Sequence, residues 1–291
     1  ATQSYLLGRF PPGKSNLFDT MTVAENLLRA HAAAYRAIKA VQPAAQVGFA
    51  KHQIALKTAF PALVNHRARM LVENFFNRAW VNALNTGELR FPLRTISVPE
   101  ARDTLDWIGL NYYYRFRVAF SPLLPQQLFI SQTRPRDGIP GPGDVGEIWP
   151  EGLFEHIQWL AETTGKPIYV TENGVPDPDD SLRPQHLARS LRSVWDAINF
   201  NYPVKGYFHW TLVDNFEWSE GYDPQFQFGL FACDPETQAR QPRRSSEFYG
   251  AVCGENALTS AQVRRYVPDR FDEMFPGLDV QSKVTLPPRS E

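Results

Sequence analysis

Glu172 follows directly on the apolar run Ile168-Tyr-Val-Thr171 and precedes Asn173-Gly174. A carboxylate at the mouth of a buried strand is half desolvated and can serve as nucleophile, general base or metal ligand. The same position also suits an N-cap or a loop ion pair. Metal ligation is the weaker chemistry, because no second carboxylate or histidine lies at ligand spacing nearby. Two further apolar stretches turn polar and aromatic at their ends, in Asn111-Tyr112-Tyr113 and in His209-Trp210. Flat rings beside fixed polar groups suit a sugar: the rings cover the C–H faces and the polar groups read the hydroxyls. With 7 Trp, 11 Tyr and 20 Phe, the chain has rings enough for both a core and such a site.

These ends need strands and helices to hold them. Val23, Leu27, Leu28, His31, Ala34, Tyr35 and Ile38 recur every three to four residues, which predicts a helix. A short strand from Gln46 to Ala50, a helical region from Ala62 to Leu84, and a strand from Leu105 to Tyr113 follow. Residues 117–148, rich in Pro and Gly, read as one long loop, and loops of that length are functional or disordered. A helix from Glu151 to Thr163 stops at Gly165, a residue suited to a C-terminal cap. Then come the strand Lys166–Thr171, a helix around Gln185–Ala197, the strand Val204–Trp210, and a helix near Arg243–Cys253. Strands alternating with helices predict right-handed crossovers and a parallel α/β sheet. In such sheets the carboxyl ends of the strands form the ligand face. One domain is expected over residues 1–267. Residues 268–291 read as a polar, poorly ordered tail, and residues 1–16 as loop.

Bulk properties bound the function. The chain has 291 residues, 43% hydrophobic and 21% charged, with a net charge of −1. No basic surplus exists for a phosphate backbone, so no nucleic-acid partner is expected. No apolar run reaches the roughly 18 residues of a membrane span. Cys233 and Cys253 fit no metal or redox spacing and read as reduced thiols of a cytoplasmic protein.

Four segments, in order, resemble glycoside hydrolase family 1. Thr171-Glu172-Asn173-Gly174 looks like its nucleophile motif. Gly206-Tyr-Phe-His-Trp-Thr-Leu-Val-Asp-Asn-Phe-Glu-Trp218 is similar to its GYFxWSLxDNFEW segment, with Thr211 where Ser is usual. Trp107-Ile-Gly-Leu-Asn-Tyr-Tyr113 resembles FxGxNYY, and Gly8-Arg-Phe-Pro-Pro-Gly13 with Ala30-His31-Ala32 matches its place in the order. The resemblance implies the C-terminal portion of a (β/α)8 TIM barrel, about strands 5 to 8. It implies a retaining β-glycosidase acting on β-glucosides or β-galactosides, with no cofactor and no metal. Glu172 would be the nucleophile and Tyr113 would orient it. Asn111 would lie on the same strand end. Glu217 would accept from the sugar hydroxyls at C4 and C6, Trp218 would donate its indole N–H, Trp210 would form the aromatic floor, and Phe228 would reach the sugar. Glu217 and the acidic Ser219–Asp223 turn would repel a 6-phosphate, which favours an unphosphorylated glycoside.

The sequence departs from that family in two places. Asp223-Pro-Gln-Phe-Gln-Phe-Gly229 is longer by two residues than usual, with Gln227 where Arg is expected, so the loop beside the sugar would differ. Val145-Gly-Glu-Ile-Trp-Pro150 matches GWEIYP only loosely. The acid/base motif T-x-N-E-P is not present, and Ala1 would fall shortly after it. Four strands stand where a closed barrel has eight. The missing N-terminal half of the barrel is therefore an expected partner. Two other readings stand beside the enzyme: a non-catalytic carbohydrate-binding module, and a thioglycosidase differing at the acid/base position.

Overall fold

The computed structural model describes residues 1–276 except 93, 125–128, 136–137 and 142–145. Thr2–Leu6 forms a π-helical turn where the sequence predicts loop. Helix α1, Leu17–Val41, starts where the Asn16 side chain accepts from the backbone N–H groups of Phe18 and Asp19. Its buried stripe is Met21, Ala24, Leu28 and Ala32. Leu27 and Ile38, which belong to the expected apolar face, are exposed. The helix thus carries apolar residues on two sides and uses one.

Strand β1, Gly48–Thr58, continues eight residues past its expected end at Ala50. Helix α2, Leu63–Val72, passes through a π-helical stretch, Glu73–Arg78, into α3, Ala79–Thr86. A hairpin of β2, Glu88–Phe91, and β3, Arg94–Ser97, follows. Strand β4, Trp107–Phe120, runs well into the segment expected as loop and pairs antiparallel with β5, Ile130–Thr133, and β6, Glu147–Ile148. Alternation explains this: Val118 is buried with Ile130 against Ile54, Leu56 and Ala68. Of the loosely matching stretch before the next helix, Val145 lies outside the described residues.

Helix α4, Gly152–Thr164, strand β7, Ile168–Asn173, helix α5, Arg183–Asn199, and strand β8, Val204–His209, lie within two or three residues of expectation. A short hairpin of β9, Phe231–Cys233, and β10, Arg240–Pro242, precedes α6, Arg244–Glu255. Helix α7, Ser260–Tyr266, opens on a capping box between Thr259 and Gln262. The expected tail begins instead with a turn at Pro268–Arg270 and the short helix α8, Phe271–Met274, whose Phe271 and Met274 are buried against α5, α6 and α7. These apolar side chains decide the outcome over the polar residues between them. The rest of that tail, 277–291, lies outside the described residues.

The strands run β1-β4-β7-β8, each parallel to its neighbour. Ile108, Leu110, Ile168 and Val170 point from the sheet into a core with Leu153, Ile157 and Leu160 of α4. Burying each such side chain contributes roughly 1.5–3 kcal/mol. The core fixes the pleat, so alternate residues of β4 divide. Tyr112 turns to the helices, where its hydroxyl donates to the Trp149 carbonyl at 2.6 Å. Tyr113 turns to the other face. Among the described residues the sheet does not close: β1 and β8 are its two outer strands. No helix among them is long and apolar enough to cross a membrane.

Candidate active site

Register brings the first two expected residues together. Asn111 of β4 pairs with Glu172 of β7, just past an irregularity after Leu110. Asn111 Oδ1 accepts from the Thr171 hydroxyl at 2.6 Å, so this side chain holds the strand end that carries Glu172. The Tyr113 hydroxyl donates to Glu172 Oε2 at 2.7 Å. Burial, then the charge of Glu172, drives the Tyr113 hydroxyl far above the usual phenol range. It therefore stays a protonated donor at any working pH.

The next strand end is locked from behind. Fully buried Asn173 donates to the Tyr112 carbonyl at 2.7 Å, and its Oδ1 accepts from the Tyr207 hydroxyl at 2.8 Å. The Trp210 N–H donates to the Asn173 carbonyl at 2.9 Å. Residue 174 must be glycine, because a Cβ there would stand 1.9 Å from the Trp210 carbonyl oxygen. The peptide between Trp210 and Thr211 is cis.

Beyond Trp210 the chain makes a tight turn in which the backbones of Glu217 and Gly221 exchange hydrogen bonds of 2.8 and 3.0 Å. Trp218 adopts φ 41°, in the left-handed region, and is 70% exposed. Its ring stacks on Phe10 at 5.5 Å between centroids, 9° from parallel. Burial raises the Glu217 carboxyl above its ordinary value; the Trp210 indole opposes this, and the charges of Glu220 and Glu172 add to it.

Trp210, Glu217, Trp218, Phe10 and His52 line a hollow of about 1230 Å³. Glu172 and Tyr113 are not on its wall. His52 connects the two groups, since its ring packs edge-on against Tyr113 at 5.7 Å. Phe228 is only 5% exposed and also packs edge-on against Tyr113, at 6.1 Å. Like Glu172 and Tyr113, Phe228 is not on the wall of the hollow. Its packing supports the tyrosine.

The loop with Gln227 is held by two arginines. Arg243 grips Asp214 with two hydrogen bonds, of 3.0 and 2.8 Å, and also donates to Gln227 Oε1 at 3.1 Å. Arg183, fully buried, donates to the Gln227 carbonyl at 2.9 Å. Gly229 passes so close to Asp214 that a Cβ would meet its backbone nitrogen at 2.4 Å. Sequence reasoning misses His52, because the pattern predicts that β1 stops short of it, and Phe10, which the sequence offers only as part of a motif. It also misses Asp214, Arg183 and Arg243, whose partners are distant in the chain. Among the described residues no group of three or more His, Cys, Asp or Glu is placed to hold a metal ion.

A parallel sheet whose strand ends and following loops hold an oriented glutamate, a second carboxylate and two indoles, one of them exposed, suits the recognition of a sugar. The sequence profile of glycosyl hydrolase family 1 matches residues 1–258. The chain belongs to that family. Its four parallel strands and their helices are part of the family's (β/α)8 barrel. A curated family 1 relative, the β-galactosidase of Pyrococcus woesei, is 32% identical over 86% of this chain and 54% of its own length. Among solved structures, the β-glycosidase from Pyrococcus horikoshii superposes with a TM-score of 0.82 at 29% identity, over 91% of this chain and 60% of its own. The Thermotoga maritima β-glucosidase in complex with deoxynojirimycin gives 0.78 at 27% identity, over 89% and 62%. The chain therefore spans between half and two thirds of the length of the family 1 proteins it matches.

Proposed function

We propose that this chain carries the nucleophile and sugar-recognition half of a retaining β-glycosidase acting on unphosphorylated β-glucosides or β-galactosides. The observation that carries the reading is the 2.7 Å hydrogen bond from Tyr113 to Glu172. It leaves the other carboxylate oxygen free to attack the anomeric carbon. In that step a bond forms from Glu172 to C1, the C1–O bond to the leaving group breaks, and a second carboxyl gives the leaving oxygen its proton. The same group then takes a proton from water as the water oxygen bonds to C1 and the C1–Glu172 bond breaks, which frees the sugar with net retention. Glu217 accepts from sugar hydroxyls, and Trp210 and Trp218 supply the aromatic surface. A carboxylate at position 217 repels a phosphate dianion, which supports the unphosphorylated substrate class.

A retaining mechanism needs its two carboxyls about 5–5.5 Å apart. We assign the proton donor to a polypeptide segment that completes the barrel by pairing with β1 and β8. Support comes from the outer edges of β1 and β8, which pair with no further strand among the described residues, and from exposed apolar residues such as Leu27 of α1 and Phe208 of β8.

The test is to prepare the chain with a segment carrying the remaining strands, treat it with a 2-deoxy-2-fluoro-β-glucoside, and map the label. Glu172 should carry it. Glu172→Gln should lower turnover by about a thousandfold or more. Label on another residue, or undiminished turnover in the variant, would sink the assignment. Sugar binding by the completed protein without any turnover would favour the non-catalytic module.

A further inference from the structure

At about 1230 Å³, the hollow is larger than the roughly 300–1,000 Å³ of an ordinary ligand site. Part of its wall is apolar, with Phe49 of β1, Phe76, Trp80 and Leu27 of α1. Lys51 of β1 belongs to the same wall. β1 is an outer strand, and beyond β4 it pairs with no further strand among the described residues. Lys51 keeps part of its surface exposed, yet its amine is closely surrounded, and burial pushes it down to about 7. Its Nζ donates to the carbonyl of the adjacent His52 and lies 4.3 Å from the centre of the Phe76 ring. Among the described residues it forms no ion pair. Arg9, which also lines the hollow, is exposed to solvent.

The groups on which Lys51 acts are basic as well. Its charge pushes down the amino group of Ala1 and the imidazoles of His52 and His156. A ring face recovers only part of an ammonium's lost hydration. A polypeptide laid along β1 would cover what is still exposed. A charge closed off from water is matched by an opposite charge or given up. A carboxylate answers the positive field at this edge, and an apolar strand answers the rings around it. That carboxylate is not the proton donor, because a carboxyl matched to an ammonium is held ionised.

We propose that the segment completing the barrel presents an Asp or Glu carboxylate to Lys51 from an otherwise apolar strand beside β1. The match depends on the completed barrel proposed above, and this acid is a second one beside the proton donor. The test follows Lys51 through assembly. In the chain alone, NMR titration of its Cε protons should give a value near 7. With the segment bound, it should rise to the ordinary lysine range or above. Lys51→Met should stabilise the chain alone, because the folded state disfavours the charged amine. That gain is full below about 7 and shrinks as pH rises toward the ordinary lysine value. The same change should weaken association with the segment roughly a hundredfold or more, since it strands the opposing carboxylate. Lys51→Arg keeps the charge and should lose much less. An unshifted Lys51 in the assembly, or a Met variant that binds the segment as tightly as the native chain, with Glu172 still labelled, would overturn this match alone. A value already in the ordinary range in the chain alone would overturn it too. Failure of the two parts to associate would overturn the completed barrel and the match together.

Discussion

Tyr113 and Glu172 meet across the β4–β7 boundary, with the phenol donating to one carboxylate oxygen at 2.7 Å. The contact rests on two packed neighbours, His52 and Phe228, whose rings stand edge-on to the tyrosine. A hydrogen bond to a charged group contributes about 1.5–3 kcal/mol. Tyr113→Phe keeps the ring in its packing and removes only the donor. The completed enzyme should then be labelled by a 2-fluoro sugar roughly 10- to 100-fold more slowly, with its melting temperature little changed. An unaltered labelling rate would show that the hydroxyl does not serve the nucleophile.

Glu217 gives a pH signature. Its carboxyl is raised, chiefly by burial, so the ionised form is disfavoured in the folded chain. A carboxyl raised on folding lowers stability while it is ionised, and this cost disappears as pH falls through its folded value. Glu217→Gln should therefore stabilise the chain at neutral pH and not at low pH, as read by denaturant unfolding. Sugar affinity should move the other way. The hydroxyls require an ionised acceptor, so binding by the native protein should decline on acidification. The Gln variant should bind weakly, with little response to pH. Parallel pH profiles for the two proteins would refute the role.

The Asp214–Arg243 pair is nearly closed to solvent, with side-chain exposures of 7% and 8%. Removing one partner of such a pair leaves a buried charge without its match and costs about 3–5 kcal/mol. Asp214→Asn should approach that cost. Adding Arg243→Met should recover part of it, because the stranded guanidinium is gone. A double-mutant cycle in urea reads the coupling. A cycle with no coupling would mean that Gly229 and Gln227 hold the loop without the ion pair.

What could be read in advance follows from the range of each interaction. β7, β8 and α4 are legible because their apolar periods and caps are local. The extension of β4 to Phe120 was hidden, since Val118 gains its burial from Ile130 across a turn. The polar Lys51 and His52 argue for a short β1, yet the ladder to β4 continues through them to Thr58. In the candidate site, Asn111, Tyr113, Glu172 and Glu217 could be named from motifs at strand ends. The shape of the site could not. The packing of Phe228 on Tyr113 needed the structure, and Phe10 lies more than two hundred residues before the Trp218 it stacks on. Arg183 and Arg243 look like ordinary helix-start arginines until the loop at Gln227 is folded onto them.

Phe208 tests the completed barrel. Tyr207 is in register with Val170, and both face the helices. The neighbouring Phe208 therefore faces the opposite side of the sheet, where it is 57% exposed. If a second segment closes the barrel, that side becomes interior and Phe208 becomes a packed residue. The same substitution should then act differently in the two states. Phe208→Ala in the chain alone removes an exposed ring and should change its stability by about 0.5 kcal/mol at most, while reducing self-association in light scattering. In the completed protein it opens a cavity and should cost about 3–5 kcal/mol, read as a large loss of affinity between the two parts or as a lower unfolding midpoint. Equal, small effects in both states would mean that this face of the sheet stays open and that the proton donor reaches Glu172 by another route.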